Sequence, residues 1–419
     1  MTKTPIRAGV IGMGGYAGAH HHALLQLEEK SEARLVCTCD PQAKAFAVEQ
    51  ELWKFSRRGV RVFDDYRRML EACGRELDLL VVPTPIPLHA EMHRAGVELG
   101  IPVYLEKPPT LDYLELEEMI ARDQGARKAT LVGFNFIVEQ PRRALKARIL
   151  KGEFGAVQEA HLIASWSRPR SYFERNAWAG RLLGADGRTV LDSCFGNAMA
   201  HFVHNILFWA GPDELASWAQ LERVQAELYR AHAIEGADTF FVEARTPEGV
   251  TLRFALSHAC AGASTHSETV VCELADIRYV TGQCAKIRWR DGRLERVSLP
   301  PLDPLVENYL DYGRYLRGES LRPATLLSDS RPFVALNDLA YVSSGEIATL
   351  PLEQVAAVRN EQEQQEYLSI KDLAPVQDEF VTRGRWPSAR DWPRAHPAAV
   401  VTIADLPHFH STVRALAGR

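Results

Sequence analysis

The sequence predicts an α/β protein in two parts. The first is an N-terminal doubly wound parallel sheet, and the second a C-terminal α/β unit with a large, mostly antiparallel open sheet. Three observations carry this expectation. Short apolar runs alternate with amphipathic stretches over the first third of the chain. A glycine-rich turn separates the first apolar run from the first amphipathic stretch. After about Gly133 the rhythm changes to strand-like runs divided by turn signals.

The elements follow in order. Ile6 to Ile11 predicts a strand, Gly12 to Gly18 a turn, and Ala19 to Glu28 a helix. Arg34 to Thr38 predicts a second strand ending at Asp40, and Pro41 to Glu51 has helical character. Leu77 to Val82 is a continuous apolar run, the pattern of a parallel strand covered on both faces. Leu88 to Leu99, Pro102 to Leu105 and Tyr113 to Arg122 extend the alternation as helix, strand and helix. Such alternation implies right-handed crossovers and a doubly wound sheet.

Beyond Gly133, Arg142 to Lys151 predicts a charged helix, Val157 to Trp166 a strand, and Asn197 to Trp209 a long helix. Thr239 to Arg245, Thr251 to Ser257, Thr269 to Leu274 and Lys286 to Arg290 read as strands, with turns such as Pro247-Glu248-Gly249 and Asp291-Gly292 between them. Helices return at Val306 to Arg317 and Arg331 to Ser344. The expected domains are 1–133 and 134–419, with a C-terminal extension after about residue 353 that carries several prolines and tryptophans and no assignable role.

Composition narrows the function. The 419 residues suit two domains, and 46% hydrophobic with 25% charged residues is ordinary for a globular protein. A net charge of -5 supplies no basic field for nucleic acid. No run of about 18 apolar residues occurs, and no signal-like segment opens the chain, so no membrane partner and a cytoplasmic location are expected. Seven scattered cysteines read as reduced thiols, with Cys37 and Cys39 as small buried hydrophobes on one strand face. His20, His21 and His22 resemble a metal tract. Consecutive residues on a helix point in different directions, however, so no shared chelate and no metal site is expected.

Gly12-Met13-Gly14-Gly15-Tyr16-Ala17 fits G-x-G-x-x-G/A between a strand and a helix, the fingerprint of a Rossmann dinucleotide site. Gly12 permits the tight turn, Gly14 the approach of a pyrophosphate, and Ala17 close helix–strand packing. The helix N-terminus offers N–H groups and its positive dipole end. Asp40 closes the second strand at the spacing of the residue that accepts from a ribose 2′-hydroxyl and repels a 2′-phosphate. NAD is therefore the expected cofactor, with NADP possible. A turn or helix-capping role for Asp40 ahead of Pro41 is the competing reading.

Glu106-Lys107-Pro108 adds a specific pattern. Taken with Gly12-Met13-Gly14-Gly15, Pro83-Thr84-Pro85-Ile86-Pro87-Leu88-His89, Gly133-Phe134-Asn135-Phe136 and Lys151-Gly152-Glu153-Phe154-Gly155, the chain resembles the glucose–fructose oxidoreductase/inositol dehydrogenase/MocA (Gfo/Idh/MocA) family over about its first 350 residues. The resemblance implies hydride transfer between a nicotinamide and a sugar, cyclitol or related polyol. It also implies assembly as a homodimer or homotetramer through the C-terminal sheet. Pro83, Thr84, Pro85, His89, Glu106, Lys107 and Asn135 join Gly12, Met13, Gly14, Gly15, Tyr16, Ala17 and Asp40 as expected cofactor residues.

Lys107 corresponds to the family lysine near the nicotinamide, where an ammonium can polarise a carbonyl or relay a proton. His201 matches the family's general acid–base, a role suited by a pKa near neutrality. Four residues earlier many members carry an aspartate, and here stands Asn197. Asparagine can orient an imidazole or hold a hydroxyl but cannot carry a proton away. Asp192 either supplies the missing carboxylate or merely caps the helix. Three alternatives stay open: a shifted proton relay, a purely binding Asn197, and a weakened catalyst.

Trp166, Arg168, Tyr172, Glu174, Trp178 and Arg181 form a polar, aromatic segment like the family's substrate-lining loops. His204 reads as a packing or interface residue. Two other functional readings remain: a redox-assisted glycosidase or epimerase holding NAD tightly, and a catalytically weakened NAD-binding regulatory protein.

Overall fold

A six-stranded sheet organises the N-terminal part of the computed structural model, which describes residues 4–418. The reading of the extreme N-terminus as free of a signal segment rests partly on Met1–Lys3, outside the described residues. The strands are β1 (Ile6–Ile11), β2 (Ala33–Cys39), β3 (Arg61–Phe63), β4 (Leu79–Val82), β5 (Val103–Leu105) and β6 (Leu131–Val132), in the order β3-β2-β1-β4-β5-β6. Every neighbouring pair is parallel, and the order reverses between β1 and β4, as in doubly wound dinucleotide-binding folds. The central strands are apolar throughout because helices cover both faces, and all of Leu79–Val82 is buried. Strand β3 and the Tyr66–Cys73 helix escape a sequence reading, since β3 is a short edge strand and its residues are partly exposed.

The chain divides into two compact units. The first runs through Thr110 and contains Leu114–Glu139 and also Leu302–Ser330. That last segment lies far beyond the expected boundary at residue 133. Its helix, Pro304–Leu316, is started by Asp303, which accepts from the Leu305 and Val306 amides, and by Pro304 in the first turn. Leu305, Val306, Tyr309 and Tyr312 form one apolar stripe packed into the core of Val10, Leu24, Leu27, Tyr104 and Leu131. Helical spacing reveals such a stripe but not which sheet it will cover.

The second unit holds Leu111–Tyr113, Gln140–Pro301 and the chain from Arg331 onward. Its strands are β7 (Val157–Ser165), β8 (Arg223–Arg230), β9 (Thr239–Arg245), β10 (Thr251–Ser257), β11 (Thr265–Cys272), β12 (Ala275–Val280), β13 (Cys284–Trp289), β14 (Leu294–Ser298) and β15 (Ile347–Thr349). They form one nine-stranded sheet, β14-β13-β12-β11-β7-β10-β9-β8-β15. It is mostly antiparallel, but β10 runs parallel to β7 and β15 parallel to β8. The parallel pair arises because β7, early in the chain, inserts between two later hairpin partners.

Arg142, from the Gln140–Leu150 helix, forks onto Glu268 of β11 at 2.5 and 3.1 Å. Glu268 also accepts from Asn205 at 3.0 Å and the Trp209 indole at 2.5 Å. This ion pair is fully buried, so its hydrogen bonds must offset a desolvation cost of several kcal/mol per ion.

The C-terminal extension has a definite place. A hairpin of β16 (Val355–Asn360) and β17 (Gln365–Ile370) leads into the Leu373–Arg383 helix. Val376, Phe380 and Trp392 then pack on Ile163, Tyr229, Phe241 and Ala255, covering that part of the large sheet. Among the described residues no helix is long and apolar enough to cross a membrane.

Candidate functional site

The glycine turn of the first unit is built around two anchors. Gly12 donates to the Cys39 carbonyl at 2.7 Å and takes φ +111°, a conformation that favours glycine. Asp40 ties the end of β2 to the turn: one carboxylate oxygen accepts the Met13 amide at 3.0 Å, the other the Gln42 amide at 2.8 Å. The strand-end and local-turn readings of Asp40 are thus both realised in one side chain. Ala17 is buried, and a Cβ on Gly12 would stand 3.5 Å from its methyl, an ordinary contact, so it is the φ of +111° and not space that calls for glycine at 12.

The three consecutive histidines diverge. His20 turns inward to Tyr309 and Glu106, and His22 is exposed. His21 donates through Nε2 to the Gly12 carbonyl at 2.9 Å and stacks on Trp53. Burial pushes its pKa down to about 4, so the ring is neutral at physiological pH and braces the turn as a donor.

The turn fits a dinucleotide phosphate cradle. Gly15 has φ +57° and open space where a Cβ would lie, whereas a Cβ on Gly14 would crowd Phe46 at 3.1 Å. The Ala17–Glu29 helix begins here with no side chain capping its N-terminus; the Ala17, Gly18 and Ala19 amides bond back to the Gly14, Gly15 and Tyr16 carbonyls, and the positive dipole end faces the turn.

The Glu-Lys-Pro segment follows β5. Glu106 is 4% exposed; its Oε2 accepts the Lys107 amide at 3.1 Å, and its Oε1 lies 3.1 Å from His20 Nε2. The other His20 nitrogen meets the Tyr309 hydroxyl at 2.8 Å. Gly133 leaves room for this carboxylate, because a Cβ there would sit 2.6 Å from Glu106 Oε1. Lys107 itself is half-buried, and the Lys107–Pro108 peptide is cis.

Asn135 accepts from the Tyr104 hydroxyl at 2.8 Å and from Asn308 at 2.6 Å, with its amide 3.4 Å from the hydroxyl of Tyr16. Pro83, Thr84 and Pro85 follow β4, with Pro83 buried and Pro85 exposed. His89, expected among the cofactor residues, sets its two ring nitrogens against backbone carbonyls, Thr84 at 2.8 Å and Pro108 at 2.9 Å, of which the single N–H of a neutral ring bonds one. Burial outweighs the pull of the two carbonyls and lowers its pKa. The ring staples the 83–88 loop to the segment carrying Lys107. Tyr104, Asn308, Tyr309 and the inward role of His20 have no signal in the sequence, since their partners lie many residues away.

The second unit gathers most of its expected residues around Tyr172. Arg168 stands 4.6 Å and Arg175 3.5 Å from its ring centre, and Arg175 also lies 4.9 Å from Trp178. Arg175 approaches Asp192 at 3.8 Å. Asp192 accepts the Gly180 amide at 3.0 Å and the Asn197 side-chain amide at 2.9 Å. It does not cap a helix; Ser193 does, accepting from Gly196. Arg181 stands apart, 59% exposed and 3.8 Å from Glu235, and Glu174 is exposed.

The expected helix from Asn197 is corrected. Cys194–Ala198 is a π-helical turn, and the α-helix begins at Ala200, after Met199 leaves helical geometry with φ -107° and ψ 14°. Asn197 and His201 therefore do not share regular i, i+4 spacing. The wider turn instead swings Asn197 onto Asp192. His201 is half-buried in the first helical turn, next to Phe202, whose ring meets Trp166 edge to face. His204 is fully buried against Trp218, a packing residue. Sequence reasoning also missed Arg175, His258, which bonds the Trp166 carbonyl at 2.8 Å, and the buried His232–Asp238 pair at 2.8 Å.

Together the sheet order and the glycine turn define a dinucleotide-binding Rossmann protein with an appended α/β unit. Residues 6–134 match the family model described as "Oxidoreductase family, NAD-binding Rossmann fold". Over this N-terminal stretch the chain is similar to the Gfo/Idh/MocA oxidoreductases.

Among curated proteins, it is 30% identical over 156 residues to a scyllo-inositol 2-dehydrogenase (NAD(+)) of Bacillus subtilis (strain 168), covering 36% of this chain and 42% of that one. It is 31% identical over 160 residues to an inositol 2-dehydrogenase of Rhodococcus jostii (strain RHA1), covering 38% and 41%. The matched stretch thus spans less than half the length of these relatives. Among solved structures, the WlbA dehydrogenase from Bordetella pertussis in complex with NADH and UDP-GlcNAcA superposes with a TM-score of 0.64 at 24% identity. That match covers 81% of this chain and 96% of the other. A levoglucosan dehydrogenase complex with NADH gives a TM-score of 0.66 at 14% identity, covering 81% and 97%. These structural likenesses establish the fold.

Proposed function

We propose that the protein is an NAD-dependent dehydrogenase acting on a CH–OH group of a sugar, cyclitol or related polyol. The observation that carries this reading is the Asp40 carboxylate, fixed at the end of β2 and bonded to the glycine turn through Met13. A carboxylate there accepts from a ribose 2′-hydroxyl and repels a 2′-phosphate. The inositol dehydrogenase relatives support the substrate class.

NAD, when bound, supplies a pyridinium carbon that accepts hydride. On this reading Lys107 donates to the substrate oxygen and stabilises charge there, and His201 takes the hydroxyl proton as the carbonyl forms. Asp192 supports the shifted-relay alternative over a weakened catalyst, since its carboxylate stands 2.9 Å from the asparagine that replaces the family's acid. Seven free cysteines agree with a reducing, cytoplasmic setting. Any assembly through the large sheet would use strands beyond those covered by Phe380 and Trp392.

Titration with NAD and NADP, followed by melting temperature, tests the cofactor: a rise with NAD at lower concentration than with NADP is expected. No response to either at millimolar concentration ends the proposal. NADH formation across a polyol panel, lost in Lys107→Met and in His201→Asn, tests the chemistry. Full turnover in either variant removes that residue's role.

A further inference from the structure

Two guanidinium groups share one tyrosine ring in the second unit, and a single carboxylate at ion-pair distance, Asp192, leaves one of their two charges unbalanced. Arg168 and Arg175 lie 4.6 and 3.5 Å from the Tyr172 ring centre. The nearest carboxylate to Arg175 is Asp192 at 3.8 Å, whose oxygens already accept from Gly180 and Asn197. Arg168 has no carboxylate at ion-pair distance among the described residues, and its Nε is buried without a hydrogen-bond partner. Asp238, the other acid that shares His258 and Cys260 as neighbours with Arg168, is engaged by His232 at 2.8 Å. His258 adds no third positive charge. Burial, with Arg168 adding to it, holds its pKa down to about 3, so it stays neutral. The indole N–H of Trp166 is likewise buried and unpartnered.

Placing two like charges on one ring is unfavourable unless something neutralises them. A guanidinium is a planar fork that fits a carboxylate or a phosphate with two parallel hydrogen bonds. Stacking on Tyr172 fixes the planes of these groups in advance, which lowers the entropy lost on binding. A neutral polyol would leave the Arg168 charge and donor unmatched. We infer that Arg168, Tyr172 and Arg175 form a subsite for an anionic group, a carboxylate or a phosphate, carried by the hydroxylated substrate. This rests on the dehydrogenase reading for what the rest of the substrate does, but not for the binding itself.

The test measures binding of D-glucuronate, D-glucose 6-phosphate and D-glucose to the full chain by calorimetry, at low and high salt. The anionic probes are expected to bind at least tenfold tighter than glucose at low salt, with the advantage shrinking as salt rises. Arg168→Gln should abolish that advantage, Arg168→Lys should restore part of it, and Arg170→Gln, a neighbouring paired arginine, should keep it. Comparison of the two anions tells carboxylate from phosphate. Equal affinity for glucose and both anions, binding of neither anion, or a preference that survives Arg168→Gln overturns the inference. An NAD-induced rise in melting temperature is read separately. A protein that binds NAD but shows no anion preference loses this subsite alone; one that binds anions but no NAD loses the dehydrogenase reading alone.

Discussion

His20 Nε2 lies 3.1 Å from Glu106 Oε1, joining the first Rossmann helix to the Glu-Lys-Pro segment across 86 residues of sequence. With Tyr309 on its other nitrogen, His20 holds the carboxylate whose second oxygen accepts the Lys107 amide. His20→Phe strands a buried carboxylate and is expected to cost about 1–3 kcal/mol, while Tyr309→Phe, which removes one hydroxyl, costs about 1 kcal/mol. Urea denaturation of the two variants measures both values. Equal stability of His20→Phe and wild type would contradict the linkage.

Gly133 is the space into which Glu106 fits. Gly133→Ala places a methyl 2.6 Å from Glu106 Oε1 and 3.1 Å from the Tyr104 ring, so the carboxylate must shift. Overpacking of this kind costs about 1–3 kcal/mol. The expected result is a lowered melting temperature, relieved when Glu106 is shortened to Asp in the double variant.

Asp40 sets cofactor preference on the proposed function. Asp40→Ser keeps a short acceptor for Met13 but removes the charge. NAD affinity should fall about tenfold, or about 1.4 kcal/mol, and the gap between NAD and NADP should narrow. Fluorescence titration with both cofactors gives the ratio.

Two buried histidines make stability depend on acid. Burial lowers His21 to about 4 and His258 to about 3, partly opposed by bonds to the Gly12 and Trp166 carbonyls. Above about pH 6.5 each ring is neutral both folded and unfolded, so neither contributes a pH dependence. Below it the unfolded chain takes up protons that the folded chain refuses, and stability falls as pH drops from about 6.5 to 4. For His21 alone the loss approaches about 3 kcal/mol. Melting temperature against pH should slope downward on the acid side, and less steeply in His258→Gln. A flat profile through this window would refute the assignment.

Breaking the buried Arg142–Glu268 pair leaves an uncompensated charge. Arg142→Met should destabilise the second unit by about 3–5 kcal/mol. Replacing both partners with apolar residues should recover much of that loss, as chemical denaturation of the single and double variants will register.

Much of the first unit was legible because its signals are local. A glycine with φ +111° at Gly12, a carboxylate ending β2 and unbroken apolar strands all leave marks on neighbouring residues. The sequence marks Asp40, Glu106 and Asn135, and the structure sets Asp40 on the glycine turn, Glu106 against His20 and Asn135 against Tyr104. The sequence marks His89 as a cofactor residue but not its place against the Thr84 and Pro108 carbonyls, because which atoms an imidazole meets depends on the neighbouring loop. The start of the α-helix at Ala200 has no local mark because a π-turn has no distinct residue pattern, and the residue that caps the start of that turn is Ser193, four residues ahead of Asn197.

The sequence by itself determined the glycine turn, the strand–helix alternation and the residue types available for chemistry, all consequences of backbone sterics and short-range periodicity. Tertiary structure alone decided that Tyr309 reaches His20 over 289 residues, that β7 pairs in parallel with β10, and that Arg168 and Arg175 meet on one ring. Those outcomes depend on which apolar faces find each other when the chain collapses. Burial is non-directional, so no local pattern names the partner in advance.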